Sequence, residues 1–438
     1  MTLSPLAQEL YATLPAFHLV GNAAYEPGLE RIGALCAAVG NPERRYKTLH
    51  VAGTNGKGTV CHLLAAILQA RYPNECIGLY TSPHLVDFGE RMRVKGQPAT
   101  EAELQALHKE LKPNIVAVQP SFFEYITAMA FLHFARKGCS WVVLETGLGG
   151  RLDATNVTIP ELAIVTTIAL DHLEQLGPTR AHIAREKAGI FKTERPALIG
   201  ERDPETEPVF TDCAEEKQAA LYFAEERMQV EMQEAPPYGW KVTAQGKSLS
   251  AMLGLQTDIQ APWQLDNLRT ALAAIDLLAE QEGKAELWRT AIYTALPQAQ
   301  RTTGLRGRLE WVAPDMLLDV AHNPAGMQAL RLFVEQLPPA PLVLVLGLSG
   351  DKDIEGVLAQ LPRADWIVAV QAHNPRAYPA AKLAQQLQTR GANVQQAGTV
   401  AEGLASAKAW ANRQGGKIIV TGSLFVVGEV LSNLANEV

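Results

Sequence analysis

The chain has 438 residues, 47% of them hydrophobic and 19% charged. At roughly 150 residues per domain this suits two or three domains with real cores and argues against a disordered chain. Its 39 Lys and Arg against 46 Asp and Glu leave a formal net charge of -7, which disfavours a general nucleic-acid surface, because neutralising phosphates needs a basic face.

Apolar runs such as Trp141–Leu144 and Leu342–Leu346 have buried-strand length and are too short for a bilayer. No basic stretch followed by an apolar one stands at the N-terminus, and the five Cys contain no CxxC pair. The expectation is a cytoplasmic chain with reduced thiols and no structural zinc, with neither nucleic acid nor membrane as partner.

In chain order, Thr48–Ala52 reads as a strand, Gly53–Gly58 as a turn, and Thr59 to about Arg71 as an apolar-periodic helix. A short apolar run ends at Leu79. Phe122–Arg136 has a helical pattern. Trp141–Glu145 and Ala163–Ile168 are strands apolar on both faces, which indicates a parallel sheet covered by helices. Ala181–Ile190 is helical. Glu201–Ser250 is more polar, with turn signals at Pro236-Pro237 and Tyr238-Gly239, and is expected to add peripheral strands and one helix to the first domain. Asp266–Gln281 is helical. Beyond Pro297 the chain passes through Gln298–Arg308, and strands recur at Met316–Val320, Leu342–Leu346, Trp366–Val370 and Lys417–Thr421. The βαβ alternation predicts an α/β protein: an N-terminal P-loop-type, doubly wound, mostly parallel sheet domain over 1–297 and a smaller C-terminal Rossmann-like α/β domain over 304–438.

Chemistry-bearing residues gather at strand ends. Gly53-Thr54-Asn55-Gly56-Lys57-Gly58-Thr59 follows a buried strand and opens a helix. Backbone N–H groups in such a turn converge on phosphate oxygens, with Lys57 near the outer phosphates and the Thr59 hydroxyl near phosphate or Mg²⁺. The general G-x-x-x-x-G-K-[ST] pattern does not fit strictly, since Val51 stands at its first Gly and Gly58 is inserted after Lys57. Ser82, in Thr81-Ser82-Pro83-His84-Leu85, is either a metal or phosphate ligand or a loop cap. Glu145 ends an apolar strand before Gly147, Gly149 and Gly150, as in enzymes that hold Mg²⁺ at a strand end. His172 follows another strand and is a second metal ligand or a structural histidine. Lys187, near a helix C-terminus, has the alternative reading of a surface cation. Asp319 and His322 are spaced to reach one ligand, and Asn267 and Arg308 are further polar candidates near the seam between domains.

Together, Val51–Thr59, Thr81–Leu85, Leu144–Asn156, Ala169–His172, Arg185–Ile190, Asp319–Pro324 and Thr421–Phe425 resemble the folylpolyglutamate synthase/dihydrofolate synthase family, a branch of the Mur ligases. They occur in the family's order across both domains. The resemblance implies an ATP-dependent ligase that joins L-glutamate to dihydropteroate and to the glutamate tail of reduced folates through an acyl phosphate. It implies Mg²⁺ held by Ser82, Glu145 and His172, with K⁺ as a further candidate ion. Lys57, Glu145, His172 and Lys187 would be catalytic, Lys187 as a carbamylated lysine. Asn55, Gly56, Lys57, Gly58, Thr59, Asn267, Arg308, Asp319 and His322 would contact ATP. The pteridine would meet Gly28, Leu29, Phe123, Glu124, Tyr125, Leu152, Asp153 and Ala154, although Glu26-Pro27 departs from the usual acidic motif before Gly28. The family also implies a monomer. A peptidoglycan-precursor ligase is the nearest rival, disfavoured by the short chain after residue 300. A non-catalytic nucleotide-binding regulator and a mechanical P-loop NTPase are the rivals from other classes.

Overall fold

The computed structural model describes residues 5–14, 28–234, 240–259, 264–350 and 352–436. Its first sheet is built from β1 (Lys47–Ala52), β2 (Cys76–Tyr80), β3 (Met92–Val94), β4 (Gln97–Pro98), β5 (Cys139–Glu145), β6 (Leu162–Val165), β7 (Ala197–Ile199) and β8 (Leu221–Phe223). The order is β4-β3-β2-β5-β1-β6-β7-β8, with β3 and β4 antiparallel at one edge and the other strands parallel. Central β1 is buried along all but its first residue, which explains a run with no polar face.

Helices cover both faces. On one side α1 (Lys57–Arg71) and α2 (Gln264–Glu282) join Leu49, Val51 and Val143 in a single core. On the other, Phe122–Arg136 packs its Ile126, Met129 and Phe134 against Val142 and Leu144. That helix starts where it does because Ser121 and Glu124 close a capping box, with the Ser121 hydroxyl accepting from the Glu124 N–H at 3.3 Å and the Glu124 carboxylate accepting from the Ser121 N–H at 2.7 Å.

Residues after β8 depart from the expected peripheral strands. β9 (Met228–Glu234), β10 (Trp240–Gly246) and β11 (Met252–Thr257) form a separate antiparallel three-stranded sheet, and two helices, Glu207–Glu216 before β8 and Ala224–Arg227 after it, stand where one was expected. The turn signals Pro236-Pro237 and Tyr238-Gly239 lie outside the described residues. The small sheet is tied to α2 by charge. The Asp276 carboxylate is fully buried and accepts from Arg227 Nη2 at 2.5 Å and from the Ser248 and Leu249 N–H groups at 2.8 Å each. Without Asp276 the Ser248 and Leu249 N–H groups lose their acceptor, and buried Arg227 is left with the exposed Glu280 carboxylate at 2.8 Å. Asp276→Ala is therefore expected to lower the unfolding free energy by about 3–5 kcal/mol, read from denaturant midpoints; an unchanged midpoint would show that the pair adds nothing.

The chain then runs through Ala285–Ala295 and α3 (Ala299–Thr303) into a second sheet. This one contains β12 (Glu310–Ala313), β13 (Met316–Leu318), β14 (Leu342–Leu346), β15 (Trp366–Ala369), β16 (Val394–Gln396) and β17 (Lys417–Thr421) in the order β12-β13-β17-β14-β15-β16. Only β12 is antiparallel to its neighbour. The protein is thus α/β, with a large, mostly parallel sheet domain and a second C-terminal sheet domain. No described helix is long and apolar enough to cross a membrane.

Three expected strands are shorter than their apolar runs, β15 by one residue, ending at Ala369 rather than Val370. β6 stops at Val165 rather than Ile168, because the Thr166 and Thr167 hydroxyls turn to donate to the Asn55 carbonyl at 2.6 and 3.3 Å. β13 stops at Leu318, so Asp319 lies just past the strand end. The first helix begins at Lys57 rather than Thr59, with Gly56 as its N-cap.

Candidate active site between the two sheets

The carboxyl ends of β1, β5 and β6 open into a cavity of about 870 Å³ lined from both domains. This is where open parallel sheets hold ligands. The glycine-rich turn after β1 forms one wall. Thr54 N–H donates to the Thr167 carbonyl at 2.8 Å, and Lys57 Nζ folds over the loop to donate to the Gly53 and Thr54 carbonyls at 2.9 and 3.2 Å. Gly56 has φ 85°, and a Cβ there would come within 2.1 Å of Asn267 Oδ1, so only glycine lets α2 close against the turn. Asn267 is held from behind, its Nδ2 donating to Gln264 Oε1 at 2.7 Å. The first-turn N–H groups of α1 have no partners within the helix and supply an anion seat. Asn55, Gly56, Lys57, Gly58, Thr59 and Asn267 all line the cavity.

Ser82, Glu145 and His172 line the same cavity. Glu145 is buried and burial raises its pKa, opposed by the charge of Lys57 and by the Ser82 N–H, which donates to Oε2 at 3.1 Å. A buried carboxylate that shares a cavity with a serine hydroxyl and an imidazole is a donor set that suits a divalent cation whose remaining positions go to phosphate and water. No cluster of three or more His, Cys, Asp or Glu stands ready for a metal among the described residues.

Lys187 is only 4% exposed, which overturns its surface reading, and its Nζ donates to the Gly53 carbonyl at 2.8 Å. Burial, and after it the charge of Lys57, push the ammonium down to about 7.

The second domain supplies the facing wall. Asp319 accepts from the Leu309 and Ala321 N–H groups at 3.0 and 2.8 Å, which spends its carboxylate on shaping the strand end. His322 Nδ1 bonds the Val320 carbonyl at 2.8 Å, so Nδ1 carries the proton and Nε2 is left as an acceptor. Burial, with the charge of Lys352, lowers the His322 pKa to about 4, so the ring is neutral near pH 7. Burial also lowers the Arg308 guanidinium, against the charges of Asp319 and Glu145. Side-chain bonds between described residues cross the cleft. Asn323 Nδ2 donates to Asn55 Oδ1 at 3.1 Å, and Lys352 Nζ pairs with Asp171 Oδ1 at 2.9 Å. Burial alone would raise Asp171, but the charges of His172, Lys352 and His322 hold it well below the usual carboxylate range.

The residues expected around a pteridine divide. Gly28, Phe123, Glu124, Leu152, Asp153 and Ala154 line the cavity. Leu29 and Tyr125 do not. Leu29 packs on the core beneath, and Tyr125 is fully buried, its ring turned away so that the hydroxyl meets His108 Nδ1 at 2.8 Å. The helical spacing explains the difference, because Phe123 and Tyr125 are two positions apart and face opposite sides of the helix. Glu124 is engaged by its capping box and by Arg31 Nε, which donates to both carboxylate oxygens at 3.0 and 3.1 Å. Asp153 accepts four bonds from its own loop, from Gly147, Leu148 and Thr155 N–H and from the Thr155 hydroxyl, so here it organises the loop. Glu26 and Pro27 lie outside the described residues.

Sequence reasoning missed Asp171, Asn323, Lys352, Ser349 and Arg376, which also line the cavity. Asp171 and Asn323 sit beside predicted residues inside the same motifs. Ser349 and Lys352 follow β14, and the position past a parallel strand's carboxyl end was the available signal.

Comparison with known proteins agrees with this geometry. The Mur ligase middle domain matches residues 51–274, and the Mur ligase glutamate ligase domain matches 307–424. A dihydrofolate synthase/folylpolyglutamate synthase of Escherichia coli K12 is 37% identical over 410 residues, covering 92% of this chain and 90% of that protein. One from Mycobacterium tuberculosis is 32% identical, covering 87% and 82%. Among solved structures, E. coli FolC in complex with DHPP and ADP superposes with a TM-score of 0.84 at 33% identity, covering 99% of this chain and 98% of that one. The bifunctional Yersinia pestis enzyme complexed with AMPPNP and Mn ion gives 0.83 at 34%, with the same coverage. The chain belongs to the dihydrofolate synthase/folylpolyglutamate synthase family of Mur ligases.

Proposed function

We propose that this chain joins L-glutamate to the carboxylate of dihydropteroate, forming dihydrofolate, and to the glutamate tail of reduced folates, releasing ADP and phosphate. The observation that carries this reading is one cavity with a phosphate-type turn on one wall, an aromatic and loop-lined pocket beside it, and Arg308, Lys352 and Arg376 from the second domain opposite. Residues 1–297 act as the ATP- and pterin-binding domain and 304–438 as the glutamate-ligase domain.

The triphosphate lies on the N–H groups of Gly56–Thr59, with Lys57 leaving the loop carbonyls for the outer phosphates. Asn267, Arg308, Asp319 and His322 border the nucleotide. A carboxylate oxygen of the folate substrate attacks the γ-phosphorus, the bond to the β–γ bridging oxygen breaks, and ADP leaves. The glutamate nitrogen then attacks the acyl carbon, loses a proton, and phosphate departs. Lys57 and Arg308 stabilise the charge that develops on the transferred group. Mg²⁺, held by Ser82, Glu145 and His172, would supply further neutralisation of phosphate charge, and K⁺ remains a candidate beside it. Lys187 as an uncharged amine is able to form an N–C bond to CO₂ and release one proton to solvent, which leaves a carbamate anion suited to the metal side of the site. Phe123, with Gly28, Leu152 and Ala154, forms the wall on which a flat heterocycle stacks. The two domains must close for both walls to touch one nucleotide. Buried thiols at Cys36, Cys61, Cys139 and Cys213 support a reducing, cytoplasmic setting, and a cavity lined by both domains of one chain supports a monomer.

The test incubates purified protein with ATP, Mg²⁺ and glutamate, adding dihydropteroate or a reduced folate. Glutamate-dependent ADP release is expected with both. Release with the folate alone would restrict the enzyme to tail extension. Release with neither would reject the assignment, and turnover of a UDP-muramoyl peptide would move it to the peptidoglycan branch.

A further inference from the structure

The segment that joins the two domains is pinned to the phosphate-loop helix, one turn in from its start. His62, on α1, is buried, and its Nδ1 lies 2.8 Å from Thr303 Oγ1 at the end of α3. The Thr303 hydroxyl already donates its proton to the Ala299 carbonyl at 2.6 Å. It therefore accepts from His62, which places the imidazole proton on Nδ1. Gly304 follows with φ 72°, and a Cβ there would stand 2.7 Å from Arg93 Nη1. Arg93, itself buried on β3, is fixed by donating to the Gly96 carbonyl at 3.1 Å. The chain is thus held from two sides just before it enters the cavity, where Arg308 lines the wall. The Arg308 charge is close enough to act on both His62 and Glu145.

We infer that His62 is a positioning residue for the ligase reaction: through Thr303 it sets where the joining segment leaves the first domain, and so where the Arg308 guanidinium meets the nucleotide phosphates. This rests on the reading above that ATP lies between the domains against Arg308. The helix that seats the phosphates at its N-terminus also carries His62, one turn on from Gly58, so the phosphate seat and the root of the Arg308 segment belong to one rigid piece. Catalytic groups displaced by as little as an ångström lose much of their effect, even when the change is remote from the chemistry.

The experiment compares His62→Ala, His62→Asn and His62→Gln. The Asn amide nitrogen sits as far along the side chain as Nδ1, whereas the Gln nitrogen sits one bond further out, near the position of Nε2. Ala and Gln are expected to lower kcat about tenfold or more, the scale of a lost buried hydrogen bond. KM for ATP should stay within about twofold, since the glycine-rich turn keeps its grip, and Asn should recover most of kcat. Thr303→Val should behave like Ala and Thr303→Ser like the wild type, which keeps the test open where His62→Ala folds poorly. Small-angle scattering with AMPPNP should show a larger radius of gyration for Ala and Gln than for Asn and the wild type. Wild-type kcat in the Gln variant, or an Asn variant no better than Gln, overturns the inference. So does a fall in melting temperature with kcat and KM moving together, which marks a merely structural role. An inactive wild type defeats the assigned reaction instead, and the scattering arm alone then decides: variants that superpose on the wild type overturn the positioning role.

Discussion

Lys57→Ala is expected to reduce glutamate-dependent ADP release by about 10²- to 10³-fold, the range for losing one preorganised group aimed at developing charge in a closed site. The ammonium is the one long cation within the glycine-rich turn, and it donates to the Gly53 and Thr54 carbonyls of that same turn. Removing it takes no partner from the domain core, so the variant should melt near the wild-type temperature. The backbone N–H groups of the helix start remain, so ADP should still bind, weakened rather than abolished. Steady-state kinetics with isothermal titration of ADP separates the two effects. Full turnover in the variant would remove Lys57 from the phosphate role.

Lys187→Ala should cost roughly 10- to 100-fold in activity, the scale seen when a supporting partner of a metal site is lost. The wild type should also depend on dissolved CO₂, losing activity in degassed buffer and regaining it with bicarbonate. The reason is the state of the amine. With the folded group titrating near 7, a large share is neutral at physiological pH and nucleophilic toward CO₂. Below pH 7 it becomes an ammonium, so activity should fall on the acid side as the reactive form disappears. Stability carries the same sign. Between about 7 and the ordinary lysine range the unfolded chain binds the extra proton, so the fold gains stability as pH rises through that window. Isotope-labelled bicarbonate should leave a carbamate carbon signal that the alanine variant lacks. Activity indifferent to CO₂ together with an active alanine variant would dismiss the modification.

The motifs were legible because their chemistry is local. A turn that seats phosphate needs glycines, a cation and a helix start within a few residues, and Gly53–Thr59 carries all of them in one stretch. Buried parallel strands announce themselves by apolar runs, as β1, β5, β14 and β17 do. Local pattern was weakest where a side chain had a choice of partner. Thr166 and Thr167 look like strand residues and end the strand instead, because the neighbouring turn offers their hydroxyls an acceptor. Tyr125 looks like a stacking surface beside Phe123 and is a core residue, because the helix turns it away.

From the order of residues alone came the α/β class, the family resemblance, and the strand ends that bear the glycine-rich turn, Glu145 and Asp319. Tertiary structure alone decided which groups share a cavity, that Lys187 is buried beside Gly53, and that Lys352 meets Asp171 and Asn323 meets Asn55 across the cleft. The physical reason is range. Backbone propensity and apolar periodicity are set by neighbours in the chain, whereas burial, charge proximity and the pKa shifts they produce depend on which distant segments the packed core brings together.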